Sequence, residues 1–438
     1  MIMQPKFLLA LGLYDILWRL CIPLLKLNSR LKDGYDDRCS GDSLGPADIW
    51  IQAASAGEAY LALSLIENMN PTTPIHVLIT TNTRQGLDII KNAIESRGRS
   101  SQVTAKCAYI PFDRPTVMDN VVQRICPKLM ILLETEIWPG LLFALKKNNV
   151  KTIIINGRVT PKSLKDYMIW PLLWKVLSPD KILAISDDDA NRFATLFGQE
   201  KVQSMSNIKF DQLQTVLNDT DNHLKGYIPD HTAFLVLGSV RQPEEQQVEN
   251  IIQNIISNLP ETIIGLFPRH MHRIKYWEQT LNRLNINYKL RSGLNREPVV
   301  KGTIILWDTF GELNSAYALA KAVFVGGSLV PLGGQNFLEP MIYGITPIIG
   351  PFWENFSWVG DDIFNQGLAI KVNNWQSVAS GLIHQLRPTI RQTESADSQQ
   401  AAAIRYIEER KGGTQQACDL IRDLLKENPN KSEKLKMN

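Results

Sequence analysis

A chain of 438 residues is too long for one ordinary hydrophobic core and predicts two or three domains. With 44% hydrophobic and 21% charged residues it reads as folded. A net charge of +3, with no Lys/Arg run interleaved with aromatics, excludes a nucleic-acid-binding class, and five scattered cysteines without a CxxC pair exclude a disulfide framework or zinc ribbon and fit a reducing compartment.

The first element is "FLLALGLYDILWRLCIPLLKL" (7–27), apolar apart from Asp15, Arg19 and Lys26. Its length approaches the roughly 20 residues that cross a bilayer core, and no small-residue cleavage site follows it. Residues 1–30 are expected to attach the chain to a membrane, as a signal-anchor span or as an amphipathic helix lying in the interface. The plainer alternative is a helix packed on its own domain. A polar stretch (33–46) leads into apolar runs alternating with helix-like segments. "DIWIQA", "IHVLIT", "KLMILL", "KTIIIN" and "KILAIS" are the strands expected in the first half; "TAFLVLG", "ETIIGLF", "GTIILW", "KAVFVGG" and "ITPIIG" are those in the second. Nearly continuous apolar strands separated by helices predict parallel sheets covered on both faces. The polar, turn-rich segment 218–232 divides the halves as a linker, giving domains over 31–217 and 233–425, and the charged residues 426–438 read as a solvated tail. The expected architecture is α/β, two doubly wound Rossmann-like domains facing across a cleft at the carboxyl ends of their strands, plus the N-terminal membrane-associated helix.

Several strand ends carry chemistry. In "AASAGEAYLAL" (53–63), Ser55 and Glu58 have the spacing of a capping box, and local sequence alone favours that role for Glu58. "LLETEIWP" puts Glu134 and Glu136 directly after a buried strand, where acids are expensive unless solvated or working; they share a side if the chain is still extended. "SNIKFD" offers Lys209, and "INGRVT" offers Asn156 and Arg158. In the second half "LFPRHMHR" ends a strand with Pro268-Arg269, suited to phosphate or base recognition. "DTFGEL" places Phe310-Gly311-Glu312 before a helix. "AVFVGGSLVPLGGQNFLEP" runs a buried strand into Gly326-Gly327-Ser328, whose N–H groups would approach an anion. Farther on, Asn336 and Glu339 have box spacing, but Pro340 as first helical residue would make Glu339 the cap, its carboxylate open to ribose hydroxyls. GxSxG, Walker A, HExxH and GxGxxG motifs are absent, which weakens hydrolase, P-loop, zincin and dinucleotide readings.

Taken in order and spacing, "ASAGE", "ETEIWP", "NIKFD", "PRH", "GEL" and "GGSLVPLGGQNFLEP" resemble the family of 3-deoxy-D-manno-octulosonic acid (Kdo) transferases, over nearly the whole chain. The resemblance implies a GT-B glycosyltransferase of lipopolysaccharide biosynthesis, anchored in the inner membrane with its catalytic domains on the cytoplasmic side. It would move Kdo from CMP-Kdo to the lipid A precursor lipid IVA with inversion, without a cofactor, metal or nucleic-acid partner. By position it makes Glu58 the proton acceptor and Glu134 and Lys209 transition-state stabilisers. It assigns CMP binding to Pro268, Arg269, Phe310, Gly311, Glu312, Asn336, Phe337, Leu338 and Glu339, with Gly327 and Ser328 near the phosphate. The first domain would bind acceptor and the second CMP-sugar. Gln335 stands where the family usually has His, Phe310 where it has Met, "GSVRQPEEQQ" replaces the usual "GSTHEGEE", and "NGRV" replaces "NARL", so donor contacts near 239–242 and 335 are the least determined. Two other readings stay open: a GT-B transferase or epimerase using a nucleotide diphosphate sugar, and a non-catalytic nucleotide-binding module at a membrane.

Overall fold

The computed structural model describes residues 5–96, 102–213, 222–229, 232–294, 297–387 and 392–426. Six of the fifteen residues of the expected linker (218–221, 230 and 231) and residues 427–438 of the expected tail lie outside them. The chain forms two units, Met1–Gln212 with Arg410–Asn438, and Leu213–Glu409.

The first unit is built on a seven-stranded parallel sheet: β1 (Ile49–Gln52), β2 (Ile75–Thr81), β3 (Val103–Tyr109), β4 (Leu129–Leu133), β5 (Lys151–Gly157), β6 (Lys181–Ala184) and β7 (Val202–Ser204), in the order β3-β2-β1-β4-β5-β6-β7. Strands β1 and β4 are buried along their whole length, because helices cover both faces of the sheet. The chain reverses its direction of winding between β1 and β4, and sheets of this kind bind ligands outside the carboxyl ends of the strands at such a point.

The second unit repeats the plan with β8 (Phe234–Val240), β9 (Ile263–Pro268), β10 (Tyr288–Leu290), β11 (Ile304–Leu306), β12 (Ala322–Val325), β13 (Ile348–Ile349) and β14 (Ile370–Lys371). Their order is β10-β11-β9-β8-β12-β13-β14, all pairs parallel. Its switch point lies between β8 and β12.

All ten expected strands are present. The four additional ones, β3, β7, β10 and β14, are the sheet edges. The expected end of the second domain at residue 425 is corrected. Helix Gly413–Lys426 is amphipathic, and its buried Ala417, Cys418, Ile421 and Leu424 share a core with Leu61 and Leu65 of helix Ala56–Asn68 in the first unit. Asp211 fixes its start by accepting the Gly412 and Thr414 N–H groups, each at 2.6 Å. The N-terminal helix Pro5–Leu25 is long and apolar enough to cross a membrane by length and composition. It rests one side on the first unit, burying Phe7 and Leu11.

Candidate active site

At the switch point of the first sheet, β1 ends in Gln52 and the chain turns through Ala53–Ser55 into helix Ala56–Asn68. Ser55 is the helix N-cap, its Oγ accepting the Glu58 N–H at 3.5 Å. Glu58 returns the favour one residue further out: Oε2 accepts the Ala54 N–H, and Oε1 accepts the Ser55 hydroxyl at 3.3 Å. The cap reading is therefore part of the truth. It is not the whole of it, because Glu58 also faces Glu136 and Glu134. Burial first, and then these two negative charges, push its carboxyl up to about 8.

The chain after β4 is not extended, which corrects the expectation that Glu134 and Glu136 share a side through strand geometry. Glu134 has φ 54°, a left-handed conformation uncommon for a residue with a side chain. That turn sends the two acids to different partners. Glu134 Oε1 meets Lys209 Nζ at 2.6 Å. Glu136 Oε2 accepts Trp138 Nε1 at 2.9 Å and Gln52 Nε2 at 3.2 Å, and burial together with Glu134 raises its pKa. Lys209 lies on the short helix Ile208–Asp211, capped by Asn207, and Asn156 steadies that helix by accepting the Ile208 N–H at 3.0 Å. Burial thus favours the protonated form of both Glu58 and Glu136, with Glu58 raised to about 8.

Sequence reading missed how far Gln52 and Glu136 belong to this cluster. Gln52 is fully buried and chained to Thr80 (Oγ1 to Oε1, 2.6 Å) and Asn82 (Nε2 to Oδ1, 2.8 Å). A polar residue closing the otherwise apolar "IWIQ" was the available signal.

In the second unit, β9 delivers Pro268 and Arg269, and the Arg269 N–H bonds Val240 O at 2.8 Å, holding it beside the end of β8. Arg241, not singled out from the sequence, stands at that end. Burial, then Arg241, Arg269 and His272, lower the pKa of His270, which marks this corner as positively charged. Glu339 feels Arg269 across the corner; burial raises its pKa while Asn336 and Arg269 pull it back.

Two expectations here are corrected. Gly327 and Ser328 do not present an open N–H cradle, because the Glu244 carboxylate, fully buried, already accepts the N–H groups of Gly327, Ser328, Leu329 and Arg241. The Ser328 hydroxyl is also committed, donating to Val325 O at 2.7 Å and accepting Gly350 N–H at 2.9 Å. Nor is Glu339 the helix cap: the helix starts at Leu338, and Asn336 takes the Leu338 N–H at 3.1 Å while donating to Glu339 Oε1 at 2.8 Å. Phe337 and Leu338 are core residues, Phe337 packing on Phe356 and Phe364. Glu312 is fully engaged as well. Against the effect of its burial, bonds from Thr309, His223 and Trp307 and the Arg291 charge hold it at about 2. That network leaves Phe310 80% exposed beside Gly311, whose φ of 82° no other residue would adopt without strain.

The family model for 3-deoxy-D-manno-octulosonic-acid transferase (kdotransferase) matches residues 26–212. A 3-deoxy-D-manno-octulosonic acid transferase of Haemophilus influenzae is 27% identical over 438 residues, covering 98% of this chain and 97% of that one. A bifunctional glycosyltransferase/methyltransferase of Fusobacterium nucleatum is 29% identical over 377 residues, 83% of this chain; the chain spans 57% of that relative's length. Among solved structures, a glycosyltransferase from Rickettsia africae, 11% identical, has a TM-score of 0.59 and covers 87% of this chain and 100% of that one, a likeness of fold. The fold is GT-B and the chain is a glycosyltransferase. In the order of its sequence blocks and in these relatives, the chain is similar over most of its length to the 3-deoxy-D-manno-octulosonic acid transferases.

Proposed function

We propose that the protein transfers Kdo from CMP-Kdo to the lipid A precursor lipid IVA, with inversion, at the cytoplasmic side of the inner membrane. The observation that carries this reading is the Glu58 carboxyl, at about 8, among Glu134, Glu136 and Lys209. A sugar hydroxyl is a poor nucleophile and needs a base whose pKa lies near the working pH, and ordinary glutamates are too weak for that. In its ionised form Glu58 takes the acceptor hydroxyl proton as the new oxygen–carbon bond forms at the anomeric centre and the bond to the CMP phosphate breaks. Lys209, held by Glu134, offsets negative charge on the Kdo carboxylate or on the departing phosphate.

The second unit holds the donor. Arg269 and Arg241 offer charge to the single phosphate, Glu339 accepts from the ribose hydroxyls, and exposed Phe310 with Gly311 receives the base. Pro268, Glu312, Phe337 and Leu338 act by shaping this corner. Residues 1–30 attach the enzyme to the membrane that carries its acceptor, with acceptor binding in 31–217.

Purified protein incubated with CMP-Kdo and a tetra-acylated disaccharide precursor is expected to yield a lipid heavier by one or more Kdo residues, undiminished in excess chelator. Transfer from a UDP-sugar in place of CMP-Kdo, or strict metal dependence, would refute the reading.

A further inference from the structure

The N-terminal helix has two unlike sides. One is fastened to the first unit: Tyr14 Oη donates to Asp113 Oδ2 at 3.0 Å, Asp15 accepts from Arg114 Nε at 3.2 Å and Thr116 N at 3.0 Å, and Trp18 stacks on Phe112. The other side displays Leu8, Leu9, Leu13, Ile16, Leu17, Leu20 and Leu24, all exposed. At 3.6 residues per turn these positions fall on one half of the helix.

A second apolar feature lies beside the helix. Between helices Pro161–Tyr167 and Pro171–Val176 the chain turns through Met168, Ile169 and Trp170, with Leu172 following; all four are exposed, Ile169 at 83%. Trp170 stacks on Phe7 with ring centroids 6.0 Å apart, which joins the turn to the helix. Lys6, Arg19, Lys162, Lys165 and Lys175 are exposed on the same two segments, where the acids are Asp166 and the already paired Asp15.

Length would allow a span, since 21 residues make about 32 Å of helix against a core of about 30 Å. Asp15 argues the other way. It stands at the midpoint of Pro5–Leu25, where a spanning helix would strand it at the most expensive depth and break every bond just described. Lying flat keeps Asp15 against the protein and gives the leucines to lipid, with the basic side chains at the headgroups.

We propose that this helix lies in the plane of the membrane surface and that the Met168–Leu172 turn is a second insertion point, so that the first unit docks on anionic lipid through one continuous face. The inference deepens the membrane part of the reading above. Its test uses the full-length protein, vesicles of phosphatidylethanolamine and phosphatidylglycerol, and flotation. The double variant Ile169→Asp/Leu172→Asp is expected to lower partitioning at least tenfold, and Val300→Asp, an exposed site in the second unit, to leave it unchanged. A fluorophore placed in turn at Leu9, Leu13 and Leu20 is expected to be quenched from one shallow depth by brominated lipids. Unchanged partitioning of the double variant, or a graded depth running from one leaflet to the other, overturns the proposal, as does a lipid-free dimer that buries these leucines and ignores vesicles. Transfer to a detergent-dispersed acceptor, measured alongside, should be equal in the double variant and the parent. Absence of transfer in both would refute the enzymatic reading and leave the docking result standing.

Discussion

Glu58 is held by Ala54 and Ser55 on one side and repelled by two carboxylates on the other, so its proton sits where helix capping and long-range charge meet. As the base proposed above, Glu58 must be ionised to act, so kcat/KM should rise with pH through an acid limb near 8, read from a pH–rate profile. Glu136→Gln removes one of the repelling charges and should move that limb to lower pH. Glu58→Gln should cut kcat by about 10²–10⁴-fold, the usual worth of general-base catalysis, and abolish the limb. Stability carries its own sign. Unfolded Glu58 titrates near 4.5 and the folded group near 8, so between those values the folded chain binds the more protons and loses stability as pH rises. The melting temperature of Glu58→Gln relative to the parent should therefore climb from pH 5 to pH 8. A flat difference across that range would mean that the carboxyl is not perturbed as described.

Among the elements, strands buried on both faces were legible because they must be apolar at nearly every position, as in "LMILL" of β4. The edges were not. β3 has one buried residue, Val103, and both residues of β14 are exposed, so neither carries a continuous apolar signal. The Gly326–Ser328 turn was legible as a turn, but its use was not, because its partner Glu244 lies 83 residues earlier in the chain. Glu244 is the second unit's counterpart of Glu58: each sits after the first strand of its sheet and accepts a backbone N–H just upstream, from Arg241 and Ala54 respectively. In the first unit the carboxylate keeps company with other acids; in the second it is consumed in bracing a loop. Gln at 244 would turn an N–H donor toward N–H donors. Glu244→Gln should therefore destabilise the second unit by about 2–4 kcal/mol and raise KM for CMP-Kdo at least tenfold, with a smaller change in kcat. The check is denaturant unfolding beside donor-dependent kinetics.

For the molecule as a whole, the chain's return to its first unit is the feature least visible in linear order. "TQQACDLIRDLL" is amphipathic, and nothing local says which of two similar sheets its apolar side will cover. Long-range contacts decide that. Asp211 binds the backbone of Gly412 and Thr414, and Ser64 Oγ meets Thr414 Oγ1 at 3.3 Å, before Ala417, Cys418, Ile421 and Leu424 close over the helix that carries Glu58. Burying Ile421 and Leu424 alone is worth about 3–6 kcal/mol, a large part of the stability of an ordinary domain. A chain ending at residue 409 should consequently fail in its first unit, showing early exchange of the Ala56–Asn68 amides, while the second unit keeps its protection. Supplying residues 410–426 as a peptide should restore that protection. Uniform protection without these residues would show that the last helix is an accessory to the first unit and not a part of its core.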